Sequence, residues 1–206
     1  MRKSRWRILI HQICYMDKTV FLIHLMVCAG VFLWGHGAQW ERISMIAAGA
    51  LGALSLLEVG NMFFQGTTEL AESCYFNASQ LAAFQMAYSG LLSLAVLLAT
   101  TVYSGLKGQL DILNTGIYTL VPFVFTECVC LTVLLMEAGR RSLLLLVAAG
   151  VFSALFWGVL TLVPRLYEAS ALAFWGAALA AGTGILMIQL RRFFSALDRG
   201  ELLCAD

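Results

Sequence analysis

Six long apolar segments, separated by short polar breaks, fill most of this 206-residue sequence. An α-helix rises about 1.5 Å per residue, so about 20 apolar residues cross the roughly 30 Å hydrocarbon core of a bilayer. Backbone polar groups in lipid need partners within their own segment, so such runs fold as helices. We therefore predict an all-α polytopic membrane protein, a single transmembrane domain over 1–206 with six spans at about 19–35, 43–64, 86–105, 112–136, 142–163 and 170–190.

The composition supports a membrane protein, and because six spans with short loops fill the sequence, we expect no separate soluble domain. Hydrophobic residues make up 61% of the chain, charged residues only 12%, and the mean hydropathy is +0.85, well outside the range of soluble domains. We expect the function to lie within the lipid bilayer, at its surfaces or on partner chains, and we expect no nucleic-acid partner.

The basic residues indicate the orientation of the spans. Ten of the 13 lie at the N-terminus, between spans four and five or at the C-terminus, and only Arg42, Lys107 and Arg165 lie in the alternate loops. Positive charge near span ends is retained on the cytoplasmic side. Both termini are therefore predicted to be cytoplasmic, with a retained first helix rather than a cleaved signal peptide.

Two segments outside the spans are predicted to be helical. Residues 5–16 place apolar side chains near one face, which is typical of a helix lying in the membrane interface. In the 66–85 segment, Thr67 or Thr68 is a candidate N-cap, and Glu69 and Glu72 follow in the first turns, where acidic residues suit the helix dipole. This segment contains no Lys or Arg. It is predicted to be a cytoplasmic helix that docks another protein, and the alternative is a solvated linker helix.

Two carboxyl groups lie within predicted spans, Glu58 in the second and Glu127 in the fourth. A charged group at the bilayer centre costs about 2.5–3.5 kcal/mol on insertion scales and usually marks a functional or paired site. Asn61 lies one turn after Glu58. We interpret these three residues as candidates for a substrate path or a proton site. The alternative is a protonated carboxyl group that hydrogen-bonds a neighbouring helix for packing.

The sequence offers no motif for catalysis, for a cofactor or for a metal. Cys128 and Cys130 would point about 200° apart on a helix, which suits chelation poorly. The phosphate-binding loop of nucleotide hydrolases and the common hydrolase and protease motifs are absent. We therefore expect no enzymatic activity, no cofactor and no metal on this chain.

Small residues recur every fourth position in two spans. Gly176, Ala180 and Gly184 do so in the sixth span, and the second span carries Ala48 with Gly52 and Gly49 with Ala53. Such stripes let helix backbones approach closely. They are candidates for helix packing within the chain, and one of them is a candidate contact between two protomers.

The order of these elements resembles the membrane subunit of ABC-2-type exporters: an interfacial helix, two spans, a cytoplasmic helix and four further spans. The 69–81 stretch also looks like a motif in small permease-like proteins of Gram-positive bacteria. The resemblance implies a bacterial plasma membrane protein that pairs with a second copy or a similar permease chain. It also implies a separate ATPase subunit, which binds ATP and docks on a coupling helix at 68–80 through Thr68, Glu69, Glu72, Tyr75 and Gln80.

A rival hypothesis keeps the same topology without transport. In it the chain is a membrane sensor or regulator that uses the acidic helix to hold a cytoplasmic partner. An intramembrane enzyme is disfavoured because no nucleophile and base are found together.

Overall fold

The computed structural model describes residues 18–34, 39–64, 78–106, 112–136, 142–163, 166 and 171–199. These residues are helical apart from short turns and caps, and no strand occurs among them. The helices are α1 (Lys18–Trp34), α2 (Gln39–Phe64), α3 (Ala78–Leu106), α4 (Ile112–Leu135), α5 (Leu143–Leu160) and α6 (Leu172–Asp198). The predicted all-α class is confirmed.

Five of these helices, α2 to α6, contain stretches long and apolar enough to cross a membrane. The shorter apolar α1 has 17 residues, so its length is about 25 Å. The five long helices fit a multi-pass membrane protein, as the composition predicts. The predicted interfacial helix at 5–16 lies outside the described residues.

Helices α3 and α6 extend furthest beyond the predicted spans. Helix α3 begins at Ala78 and includes residues assigned above to the cytoplasmic segment, since no Pro or Gly interrupts the chain before Gly90. Helix α6 continues past the pair Arg191 and Arg192 to Asp198. Both arginines are exposed, whereas Phe193 on another face of the helix is fully buried. Amphipathic turns therefore continue the helix beyond 190, where the predicted span ended.

Consecutive helices run in opposite directions. Ser89 of α3 donates a hydrogen bond to the carbonyl of Ser55 in α2, and Ser93, one turn later, donates to that of Leu51, one turn earlier. The same reversed order relates α4 to α5, whereas α2, α4 and α6 run in the same direction. Helix α1 runs parallel to α3, so the start of α1 and the end of α6 lie at the same end of the bundle.

Helix α2 lies at the centre of the bundle because its small residues admit neighbouring backbones. A Cβ on Gly52 would lie 2.6 Å from the carbonyl oxygen of Phe123 in α4, and one on Gly49 would lie 3.1 Å from Cα of Ala154 in α5. Ala53 lies against Gly150 of α5 in the same way. The stripes of the second span thus serve packing within the chain, by the close approach that small residues permit in membranes.

The buried side chains form three layers along the bundle. One layer lies where α2, α4 and α6 end and is built mainly from leucines and alanines, with Phe193 among them. The middle layer packs Leu51 and Leu97 on Phe123. The layer at the opposite end is aromatic and contains Tyr118, Trp157 and Trp175. Sequence-distant helices are therefore held together over the whole length of the bundle.

We predict that Gly52→Ala destabilises the protein by about 1–3 kcal/mol, the usual cost of overpacking. The added methyl group would meet the backbone carbonyl of Phe123 at 2.6 Å, and a backbone atom cannot move aside as a side chain can. The measurement is reversible unfolding of the purified protein in mixed micelles.

Gly184→Ala is the matched control, because a Cβ there has no neighbour within 4 Å and alanine favours a helix over glycine. This variant is expected to be as stable as the parent or more so. Equal stability of the Gly52 variant and the parent would contradict the close contact between α2 and α4.

Candidate functional site

A cavity of about 540 Å³ lies between α2, α3, α4 and α6. It extends from the middle layer of the bundle towards the end at which α6 terminates. Most of its lining is aliphatic, and two phenylalanines add aromatic surface. The described lining residues are Ser55, Leu56, Ala83, Met86, Ala87, Gly90, Leu91, Leu94, Phe123, Glu127, Leu131, Leu186, Leu190 and Phe194.

The polar part of the cavity wall consists of Glu127 from α4 and Ser55 from α2. The Ser55 hydroxyl lies 2.9 Å from Glu127 Oε1 and 2.8 Å from the carbonyl oxygen of Gly52, and can donate its proton to either. Among the described residues, no group hydrogen-bonds Glu127 Oε2 and no basic side chain forms a salt bridge with this carboxyl group. One carboxyl oxygen is therefore held from α2, and the other remains available to a ligand.

The register of α2 against α4 brings these two side chains together. Gly52 lies against Phe123, and Ser55 and Glu127 follow them by about one helical turn along parallel helices. Ser55 is additionally fixed from α3, because Ser89 donates a hydrogen bond of 2.8 Å to its carbonyl oxygen. Three helices thus determine the position of the hydroxyl group that contacts Glu127.

Further hydrogen bonds between helices surround this pair, and sequence reasoning did not identify them. His24 of α1 is buried, with Nε2 3.0 Å from the hydroxyl of Ser93 and Nδ1 2.8 Å from the carbonyl of Val20. Thr126 of α4 and Ser153 of α5 are joined at 2.7 Å. The four-residue spacing of Ser89 and Ser93 on one helical face is the sequence signal that could have indicated such contacts.

The other predicted path residues do not line this cavity. Glu58 is partly buried one turn beyond Ser55, and Asn61 is exposed near the end of α2. Of the predicted coupling residues, Gln80 is exposed in the first turn of α3. The remaining ones, Thr68, Glu69, Glu72 and Tyr75, lie outside the described residues.

The stripe of small residues in α6 faces outwards. Ala180 and Gly184 are exposed, and a Cβ on Gly176 or Gly184 would meet nothing within 4 Å. Gly182 instead forms the close contact with α4, where its carbonyl oxygen lies 3.5 Å from Cys128 Sγ. The part of the stripe at Gly176 and Gly184 thus makes no close contact with another described helix. A contact between protomers stays a prediction.

The described residues contain no group of three or more His, Cys, Asp or Glu side chains suited to a metal ion. Cys128 and Cys130 are both buried in α4 as free thiols. The chemistry that the cavity offers is therefore that of one carboxyl group and one hydroxyl group in apolar surroundings.

We predict that Ser55 and Glu127 are energetically coupled. Hydrogen bonds between membrane helices contribute about 0.6 kcal/mol on average and up to about 1.7 kcal/mol. A double-mutant cycle with Ser55→Ala and Glu127→Leu, measured by unfolding in micelles, should give a coupling free energy in this range. Thr183 bonds only carbonyls of its own helix, so a cycle of Thr183→Val with Glu127→Leu should give none. Additive effects of the first pair would contradict the contact.

Comparison with protein-family models, curated proteins and solved structures gave no significant match. The resemblance to ABC-2-type exporters therefore depends on the order of the predicted elements and on the 69–81 stretch.

Proposed function

We propose that this chain is the permease subunit of an ABC-type exporter and that the Glu127 cavity is part of its substrate path. The observation that carries the proposal is the position of a carboxyl group in a cavity between four helices of a membrane bundle. Pockets that bind small molecules commonly have about 300–1,000 Å³, apolar walls and a few placed polar groups. The cavity has all three properties.

A role in packing alone would account less well for Glu127. A buried polar group is normally satisfied by its surroundings, because an unmet hydrogen bond costs free energy. Here Ser55 contacts one carboxyl oxygen, and no described residue hydrogen-bonds the other. Ionisable residues at membrane depth commonly mark substrate or ion pathways. The incomplete pairing and the adjacent cavity both favour a binding role.

Transport of this kind requires an energy source on another chain, because the sequence lacks a phosphate-binding loop. We propose a separate ATPase subunit, bound in the cytoplasm to the segment 68–80, and a second permease chain beside this one. The start of α1 and the end of α6 lie at the same end of the bundle, and the basic residues favour the cytoplasm for that end. The localisation proposed is the bacterial plasma membrane.

We predict that reversing Glu69 and Glu72 to Lys weakens association with the ATPase. Three residues apart on a helix, both carboxylates would point to one side, and the 66–85 segment has no basic residue to pair with them. Their partners would then be Lys or Arg on the other subunit, an interaction strongest at low salt. The measurement is recovery of ATP-hydrolysing protein after affinity purification from native membranes at low and high ionic strength.

Glu127→Gln is the matched control, since it alters the cavity and not the docking segment: the ATPase should still bind while transport changes.

Recovery of the parent protein as a single protomer without an ATPase would favour the sensor or regulator. Labelling of Asn77→Cys at this position by an impermeant reagent outside whole cells would contradict the cytoplasmic position of the segment.

A further inference from the structure

We infer that the cavity binds an amphiphilic organic cation, an apolar aliphatic or aromatic body that carries one positive charge. This inference rests on the proposed function, because it names the class of substrate that the proposed permease would carry. The binding itself is a property of the purified chain and does not require an ATPase.

The lining of the cavity favours a positively charged ligand over a negatively charged one. Glu127 is the acidic residue among the described lining residues, and none of these residues is Lys, Arg or His. Within the described chain no basic side chain forms a salt bridge with Glu127. Opposite charges attract more strongly in a low-dielectric interior than in water. Once Glu127 is ionised, an organic cation would supply the opposite charge that no described lining residue provides, whereas an anion would be repelled.

The remaining lining selects for an apolar body. All described lining residues except Ser55 and Glu127 are apolar, and Phe123 and Phe194 add aromatic rings. Aromatic faces attract cations, most strongly when water is excluded. A sugar or a peptide would bring many polar groups to a wall with two polar side chains, and each unsatisfied group would oppose binding. A single charge within an apolar body fits this wall.

In the part of the chain that the structure describes, the cavity opens sideways between α3 and α6. On α3, Leu91 and Leu94 line the cavity and are also 67% and 37% exposed. A Cβ on Gly90 would meet nothing within 4 Å, so the wall has open space at this turn. In a bilayer this mouth would face lipid. A ligand that partitions into the membrane would therefore reach Glu127 from the side, without passing the packed aromatic layer at the other end of the bundle.

Tetraphenylphosphonium is a suitable probe, because four phenyl groups surround its single positive charge. Equilibrium dialysis of the radiolabelled probe against purified protein in detergent should show saturable binding. Glu127→Gln keeps the shape of the side chain and removes its charge, and should weaken binding tenfold or more. Asp198→Asn removes one negative charge at the exposed end of α6, outside this cavity, and should leave binding unchanged.

Tetraphenylborate, which has the same shape and the opposite charge, separates charge selection from apolar partitioning. The inference predicts that it does not displace the bound cation in the parent protein at equal concentration. Equal binding of both ions, or equal binding of the cation to the parent and the Gln variant, would overturn it and indicate an apolar site for lipid chains. A loss of charge selection would leave the exporter proposal intact. The exporter proposal would fail if the parent protein bound the cation but no ATPase were recovered with it.

Discussion

The close approach of α2 to α4 and α5 is the constraint on which the rest of the structure depends. Lipid is as apolar as the side chains, so helices in a membrane associate through packing and hydrogen bonds. Glycines at 49 and 52 let the α2 backbone reach Ala154 and the carbonyl of Phe123. With α2 and α4 this close, Ser55 and Glu127, one turn further on, fall within hydrogen-bonding distance. The same contact that stabilises the bundle therefore assembles the polar part of the cavity.

The cavity itself results from an uneven distribution of contacts around this centre. Helices α2 and α4 are largely buried, whereas α3 and α6 expose long apolar faces. Both α3 and α6 pack against the central helices, through Ser89 on Ser55 and Gly182 beside Cys128, and they have few contacts with each other. Among the described residues, the space left between them is closed at the back by α2 and α4 and lies open at the side. A stable centre and an accessible pocket are therefore compatible in one small bundle.

Hydropathy predicted the helical class and most helix positions within a few residues, because apolar length alone determines whether a segment can span lipid. The continuation of α6 was missed because it depends on burial of Phe193 against other helices. Glu127 was predicted to lie within a span, and it lies in α4 in the cavity wall. Its partner Ser55 was not predicted. Serine is unremarkable in an apolar run until the register of two helices is known. For the same reason the contact between His24 and Ser93 was not predicted.

The sequence also could not rank the stripes of small residues. The pattern in α6 is as regular as those in α2, yet a Cβ at Gly184 meets nothing while one at Gly52 meets a backbone carbonyl. Spacing places residues on one face of a helix, but it does not say which neighbour that face meets. Likewise Glu58 and Glu127 are both acidic residues in apolar helices, and only the packing of α4 on α2 places Glu127, and not Glu58, in the cavity wall.

If the inference is right, Glu127 lines a pocket that a reagent can reach from the bilayer between α3 and α6. Dicyclohexylcarbodiimide, an apolar reagent that partitions into lipid and modifies carboxyl groups, tests it directly when adducts are located by mass spectrometry of protein labelled in intact membranes. We expect modification of Glu127, and less of it in Gly90→Phe, whose side chain would occupy the open space beside α3. Absence of any adduct on Glu127 in the parent protein, or equal modification of both proteins, would contradict the account.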